Sequence, residues 1–165
     1  MSSEAREERM GEEVPGRMYP DAIPPAEGHP TGDRFEIVEM DEGRGRGMKA
    51  KVAFARGERV ARVSGVLVGG AMLDTLQVAP GVRMYDTWFC RYLLHSCAPN
   101  LVFEPMGLEM RATRDIAPGE DLTLDYAATE DDLVRQFACA CGAPQCRGWI
   151  MGRRESPSEE GRRVL

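Results

Sequence analysis

Apolar and polar positions along the chain alternate in short runs with breaks between them, which is the pattern of half-buried β-strands rather than of amphipathic helices. Phe35–Val38 opens the series, and Met48–Phe54 follows with partial alternation. Arg59–Val63 and Val66–Val68 come next, separated by Ser64 and Gly65. Leu101–Glu104 and Leu108–Ala112 flank Pro105-Met106-Gly107, the composition of a hairpin turn. Asp121–Tyr126 alternates again. Ala55-Arg56-Gly57-Glu58 and Ala117-Pro118-Gly119-Glu120 both read as turns in which glycine takes a positive φ before an extended segment. Helical signals are few: a turn over Leu93–Cys97 and a short helix over Glu130–Phe137. The expectation is a mainly β fold with long loops.

The flanks differ. Residues 1–32 mix charge, Pro and Gly without apolar periodicity, which predicts a disordered or loosely packed arm. Residues 153–165, RRESPSEEGRRVL, predict a disordered tail. The 165 residues suffice for one domain, and 42% apolar content allows a core. Eighteen Gly and eleven Pro fit a turn-rich chain.

A net charge of −6 argues against nonspecific nucleic-acid binding and is compatible with a basic partner such as a lysine-rich peptide. No apolar run approaches the roughly 18 residues of a membrane span, so no membrane partner is expected. The charged start, MSSEAREERMGEE, lacks the apolar centre of an export signal. The expected location is therefore intracellular: cytoplasmic, or nuclear in a eukaryotic source. In a reducing compartment, clustered cysteines bind metal or do chemistry more often than they form disulfides.

Of the five cysteines, Cys139, Cys141 and Cys146 lie together in FACACGAPQCRG, with Gly142 and Pro144 allowing a sharp reversal. Three thiolates at this spacing suit Zn²⁺, whose structural sites are closed by a fourth ligand. Spacing leaves Cys90 and Cys97 open as that ligand. EGRGRGM, residues 42–48, is a glycine-rich turn whose backbone a ligand could approach closely, but it is not a GxGxxG phosphate loop. RYLLHSCAPN, residues 91–100, holds His95 before a helix-stopping Pro99. Tyr126 closes DLTLDY.

HSCAPN, then GEDLTLDY, then CACGAPQCRGWI, in this order and spacing, resemble the signature of SET-domain protein-lysine methyltransferases with a post-SET cysteine segment. GRGRGMKAKVAFARGERVARVSG resembles the start of the same domain. The resemblance covers roughly residues 34–152 and is to a minimal, bacterial-type member. It implies a SET fold, with small curved β-sheets around a pseudoknot-like threaded C-terminal segment. The SET domain would span 33–128 and the post-SET zinc clip 129–152.

By this resemblance, S-adenosylmethionine binds at Gly45, Arg46, Gly47, Leu94 and His95, and Tyr126 is the catalytic residue beside both cofactor and substrate. The substrate is a lysine-containing protein, and nucleic acid is met only indirectly. Cys97, Cys139, Cys141 and Cys146 hold a structural Zn²⁺, and Cys90 is a packed small hydrophobe. Three positions depart from the pattern: Leu94 replaces an asparagine, Leu124 stands where the family usually has Phe or Tyr, and Val66 stands where it often has Glu. Leu94 and Leu124 motivate the alternative of a catalytically weak or inactive SET-like interaction module.

Overall fold

The computed structural model describes residues 16–165. Twelve short strands dominate it. They are β1 (Phe35–Glu39), β2 (Arg46–Ala50), β3 (Arg59–Arg62), β4 (Val66–Gly69), β5 (Thr75–Ala79) and β6 (Val82–Tyr85), then β7 (Leu94–His95), β8 (Leu101–Glu104), β9 (Glu109–Ala112), β10 (Thr123–Leu124), β11 (Phe137–Ala138) and β12 (Trp149–Ile150). Tyr126–Thr129 and Glu159–Val164 are short α-helices, and Cys90–Tyr92 is a 3-10 turn.

The strands assemble into small separate sheets. β1 and β2 form an antiparallel pair, β3-β9-β8 and β4-β6-β5 are three-stranded, β7 runs parallel to β10, and β11 pairs with β12. The core lies among them. Phe35, Phe54 and Phe89 are fully buried, with Phe35 stacked on Phe54 at 5.8 Å and edge-on to Phe89 at 5.1 Å. Burying each such ring contributes roughly 1.5–3 kcal/mol relative to exposure.

Several sequence expectations change. The run Met48–Phe54 stops being a strand at Ala50, and Phe54 makes only a bridge to Ile116. Leu93–Cys97 carries strand β7 instead of a helical turn, because Leu94 and Ser96 donate their N–H groups to Leu122 and Leu124 carbonyls. The helix expected over Glu130–Phe137 lies earlier, at Tyr126–Thr129, where the Asp125 carboxylate accepts the Ala127 N–H at 3.1 Å as an N-cap. Strands β5 and β6 were absent from the sequence reading.

The flanks also differ from expectation. Residues 16–32 pack on the domain: Tyr19 is buried, its hydroxyl donates to Asp86 Oδ2 at 2.7 Å and accepts the Ser64 N–H at 3.0 Å. One aromatic anchor with a distant polar partner leaves no periodicity to read. The rest of the expected arm, residues 1–15, lies outside the described residues. The tail from 153 is folded as well. Ser158 caps its helix by accepting the Gly161 N–H at 3.1 Å, and Gly161 is pressed so closely on Trp149 that a Cβ there would lie 2.4 Å from the indole nitrogen. Gln136 Oε1 accepts both the Trp149 indole N–H and the Ser158 N–H, each at 2.9 Å, fastening the tail to the segment before β11.

Candidate functional site

The parallel pair β7–β10 sets Leu94 beside Thr123 and His95 beside Leu124. Asn100, fully buried, locks this arrangement by donating to the Asp121 carbonyl and accepting the Thr123 N–H, both at 2.8 Å. Tyr126 therefore leaves β10 next to His95. Its backbone N–H donates to His95 Nδ1 at 3.2 Å, and the two rings meet edge-on at 5.2 Å. Phe137 completes an aromatic triangle, 5.6 Å from His95 and 6.1 Å from Tyr126.

The Tyr126 hydroxyl donates to the Leu93 carbonyl oxygen at 2.5 Å. Burial first, then the charges of Glu130 and Cys90, push its pKa up to about 12, so the phenol keeps its proton at neutral pH. Burial likewise holds His95 down to about 4, with Asp125 opposing and Arg147 adding to the effect, so the imidazole is neutral. Because its Nδ1 accepts from Tyr126, its proton sits on Nε2, 3.5 Å from Cys97 Sγ.

Tyr126 opens onto a cavity of ≈ 320 Å³ whose inner wall includes Leu93, Leu124, Cys90, Phe137 and Glu130. Glu130 and Arg83 form an ion pair at this wall, both nearly inaccessible. Glu130 Oε1 also accepts the Gln77 N–H at 3.0 Å, and Arg83 donates to the Asp132 carbonyl at 2.7 Å. Burial raises the Glu130 pKa against the hydrogen bond from Gln77 and the pull of Arg83.

The glycine-rich turn lies along the segment that leads into β7. Arg46 places its guanidinium 5.3 Å from the Tyr92 ring centre. Gly47 is pressed so close to Leu94 that a Cβ on it would come within 3.1 Å of the Leu94 side chain and 2.8 Å of Met40 Sδ. Gly45 has φ +74°, a conformation that L side chains avoid, and faces open space. Gly47 thus meets Leu94, and His95 meets Tyr126. None of Gly45, Arg46, Gly47, Leu94 and His95 lines the Tyr126 cavity; of the five, His95 is the one that touches Tyr126, while Gly47 lies against Leu94.

Cys97, Cys139, Cys141 and Cys146 come together with their sulfur atoms all within 4.8 Å of one another. Cys97 and Cys139 are 3.9 Å apart. A tetrahedral site with metal–sulfur bonds of about 2.3 Å requires sulfur separations of about 3.8 Å, so this donor set fits a thiophilic ion such as Zn²⁺. Burial works against the Cys141 thiolate, but the backbone N–H groups of Cys97 and Ala143 and the neighbouring thiols Cys139 and Cys146 bring its pKa down to about 6. Arg147 faces Cys97 Sγ with its Nε and backbone N–H, each at 3.4 Å, and binds Asp125 Oδ1 at 2.6 Å. Cys90 stands apart at the cavity, where burial raises its pKa. Geometry therefore selects Cys97 as the fourth member.

Four residues at the site escaped the sequence reading. Leu93 acts through its backbone, which leaves no side-chain signal. Phe137 stands two residues before Cys139, and Arg83 is a single charge inside the apolar run VRMY; Glu130 sits in a polar stretch.

A SET-domain family model matches residues 45–127, half of the chain. The chain belongs to the SET-domain family. Among similar proteins, Methyltransferase flvH of Aspergillus flavus is 37% identical over 86 residues, covering 49% of this chain and 47% of that protein. Histone-lysine N-methyltransferase trr of Drosophila melanogaster is 41% identical over 66 residues, covering 36% of this chain and 3% of that protein. The chain thus spans about half the length of the first and a small part of the second.

In structure, the methyltransferase domain of human histone-lysine N-methyltransferase SETMAR superposes with a TM-score of 0.58 at 20% identity, over 76% of this chain and 59% of that one. KRYPTONITE in complex with mCHG DNA and SAH gives 0.57 at 23% identity, over 70% of this chain and 28% of that one. These two show the same fold, and the mainly β architecture is the SET fold.

Proposed function

We propose that this protein is an S-adenosylmethionine-dependent methyltransferase acting on the side-chain amine of lysine in a protein substrate. The observation that carries the reading is Tyr126, a lining residue of the cavity whose hydroxyl is pinned to the Leu93 carbonyl and whose backbone N–H is bonded to His95, the neighbour of the Leu94 that lies against Gly47. Relatives named as histone-lysine methyltransferases and a fold neighbour solved with SAH support it.

S-adenosylmethionine, when bound, supplies an electrophilic methyl group. The rest is the work of the chain. A lysine amine attacks only when neutral, and its free pKa is about 10.4. The Leu93, Leu124 and Phe137 side chains of the cavity form a low-dielectric wall that disfavours the ammonium. Tyr126 holds its proton toward Leu93, leaving hydroxyl lone pairs to face the amine and fix its direction of attack. With a pKa near 12 it is a poor general base, and its role is orientation. Gly45, Arg46, Gly47, Leu94 and His95 are the residues we assign to hold the cofactor. Cys97, Cys139, Cys141 and Cys146 would hold a structural Zn²⁺ with no open coordination position, clipping β11 and β12 beside the Tyr126 wall.

The test is transfer of labelled methyl from S-adenosylmethionine to proteins of a cell lysate, with the modified residue located by mass spectrometry. Label on lysine side chains supports the reading. Absence of cofactor binding up to millimolar concentration, with metal and fold intact, favours an inactive SET-like interaction module, which the substitution at Leu94 motivates.

A further inference from the structure

We propose that the rim of the Tyr126 cavity is a specificity site for an aliphatic or aromatic residue flanking the target lysine, built by Met72, Leu73 and Val134. This rests on reading the cavity as the lysine channel. Met72, Leu73 and Val134 are 44%, 71% and 52% exposed, large values for apolar side chains, and all three line the same cavity. They come from distant parts of the chain, the turn before β5 and the loop after Glu130, so their convergence on one opening is a property of the fold.

The rim is fixed in place. Asp74, directly after Leu73, has φ +60°, its carbonyl accepts the Asp86 N–H at 3.0 Å, and its carboxylate lies 3.5 Å from Arg91. Thr75 Oγ1 donates to the Met72 carbonyl at 2.6 Å. In the loop after Glu130, the Leu133 N–H donates to Glu155 Oε2 at 3.1 Å, which ties the Val134 loop to the folded tail. A side chain entering at this rim is met by positions that are already ordered, so little further entropy is lost on contact.

The charged residues of the lining favour neither sign in number. The cavity lining carries Asp74, Glu130 and Asp132 against Arg83, Arg91 and Arg135, three of each sign. Two of these six form the buried Arg83–Glu130 pair, and Arg91 faces Asp74. With equal numbers of each sign in the lining, apolar contact at the rim is the discriminating term we assign. Apolar pockets discriminate by roughly tenfold or somewhat more per side chain.

The experiment captures a peptide library, with a fixed central lysine and two randomised residues on either side, on the immobilised full chain with S-adenosylhomocysteine. Mass spectrometry reads the captured sequences. The expected result is enrichment of Leu, Ile, Val, Met or Phe at one flanking position by roughly tenfold over Asp and Gly. That enrichment is lost in Leu73→Asp and in Val134→Asp, whose metal content and melting temperature match the parent. Capture of no peptide, a flat or charged preference, or a preference unchanged in both variants would overturn the proposal. Capture reads binding alone, so an apolar preference without methyl transfer would contradict the enzymatic reading and leave the rim assignment standing.

Discussion

The Tyr126 hydroxyl and the Leu93 carbonyl oxygen lie 2.5 Å apart, and Leu93 is the residue immediately before the β7 strand that carries Leu94 and His95. One hydrogen bond thus joins the residue facing the cavity to the segment that lies against the glycine-rich turn. Its direction matters as much as its length. The carbonyl can only accept, so the phenol proton points at Leu93 and the oxygen lone pairs are directed elsewhere.

Tyr126 should resist ionisation. Its pKa of about 12 in the folded chain exceeds the ordinary 10.0, so between these values the folded state keeps a proton the unfolded state has lost. Stability is unaffected below pH 10 by this group and falls as pH rises from about 10 to about 12. Tyr19 adds in the same direction, because burial, followed by the charges of Cys90 and Asp86, raises its pKa too. Ultraviolet titration of tyrosinate, compared with circular dichroism over the same pH range, checks this. Tyr126→Phe should shift the alkaline loss of stability to higher pH.

The two cysteines that spacing could not separate have opposite expected phenotypes. Cys97→Ser should lose the bound metal and raise hydrogen exchange across 137–150, because Cys97 is the one thiol of the cluster outside that segment. Cys90→Ser should retain the metal. Elemental analysis of the two purified variants decides it, and metal loss from Cys90→Ser with retention in Cys97→Ser would reverse the assignment.

Leu94 packs on Gly47 at the position where the resemblance to SET-domain enzymes leads one to expect an asparagine. Leu94→Asn should tighten S-adenosylmethionine binding by a hydrogen bond, about 0.5–1.5 kcal/mol or up to roughly tenfold in Kd, measured by calorimetry. Weaker binding would show that the apolar contact with Gly47 matters more than the amide.

Gly161→Ala places a methyl group 2.4 Å from the Trp149 indole nitrogen, a distance no side chain tolerates. Either Trp149 shifts or the tail helix lifts, with an expected loss of about 1–3 kcal/mol in denaturant unfolding. An unchanged midpoint would mean that the tail contributes nothing to the fold.

Sequence pattern located the strands whose faces alternate cleanly. Leu101–Glu104 runs buried, exposed, buried, exposed, and both it and its hairpin partner fall close to where alternation put them. Strands β5 and β6 were hidden because Gln77 and Arg83 point into a buried network with Glu130 and Asp131, so polar residues occupy inward positions. DLTLDY alternates over six residues, yet only Thr123 and Leu124 pair as strand, because Asp125 caps a helix that begins at Tyr126. Three of the clustered cysteines were legible from spacing alone, whereas choosing the fourth required either the family pattern or the folded geometry. The docking of the tail leaves no trace in the pattern because its anchor is a glycine: Gly161 packs on Trp149 by lacking a side chain, which no hydrophobicity pattern registers.

The most direct measurement separates binding from chemistry in Tyr126→Phe. The substitution removes one hydroxyl and leaves the aromatic contacts with His95 and Phe137. The expected result is S-adenosylmethionine affinity within about threefold of the parent, and methyl transfer to lysine reduced at least about a hundredfold, the scale of losing one positioned group at a reacting centre. Transfer at the parent rate in this variant, or no transfer to lysine by the parent chain despite bound cofactor, would contradict the account.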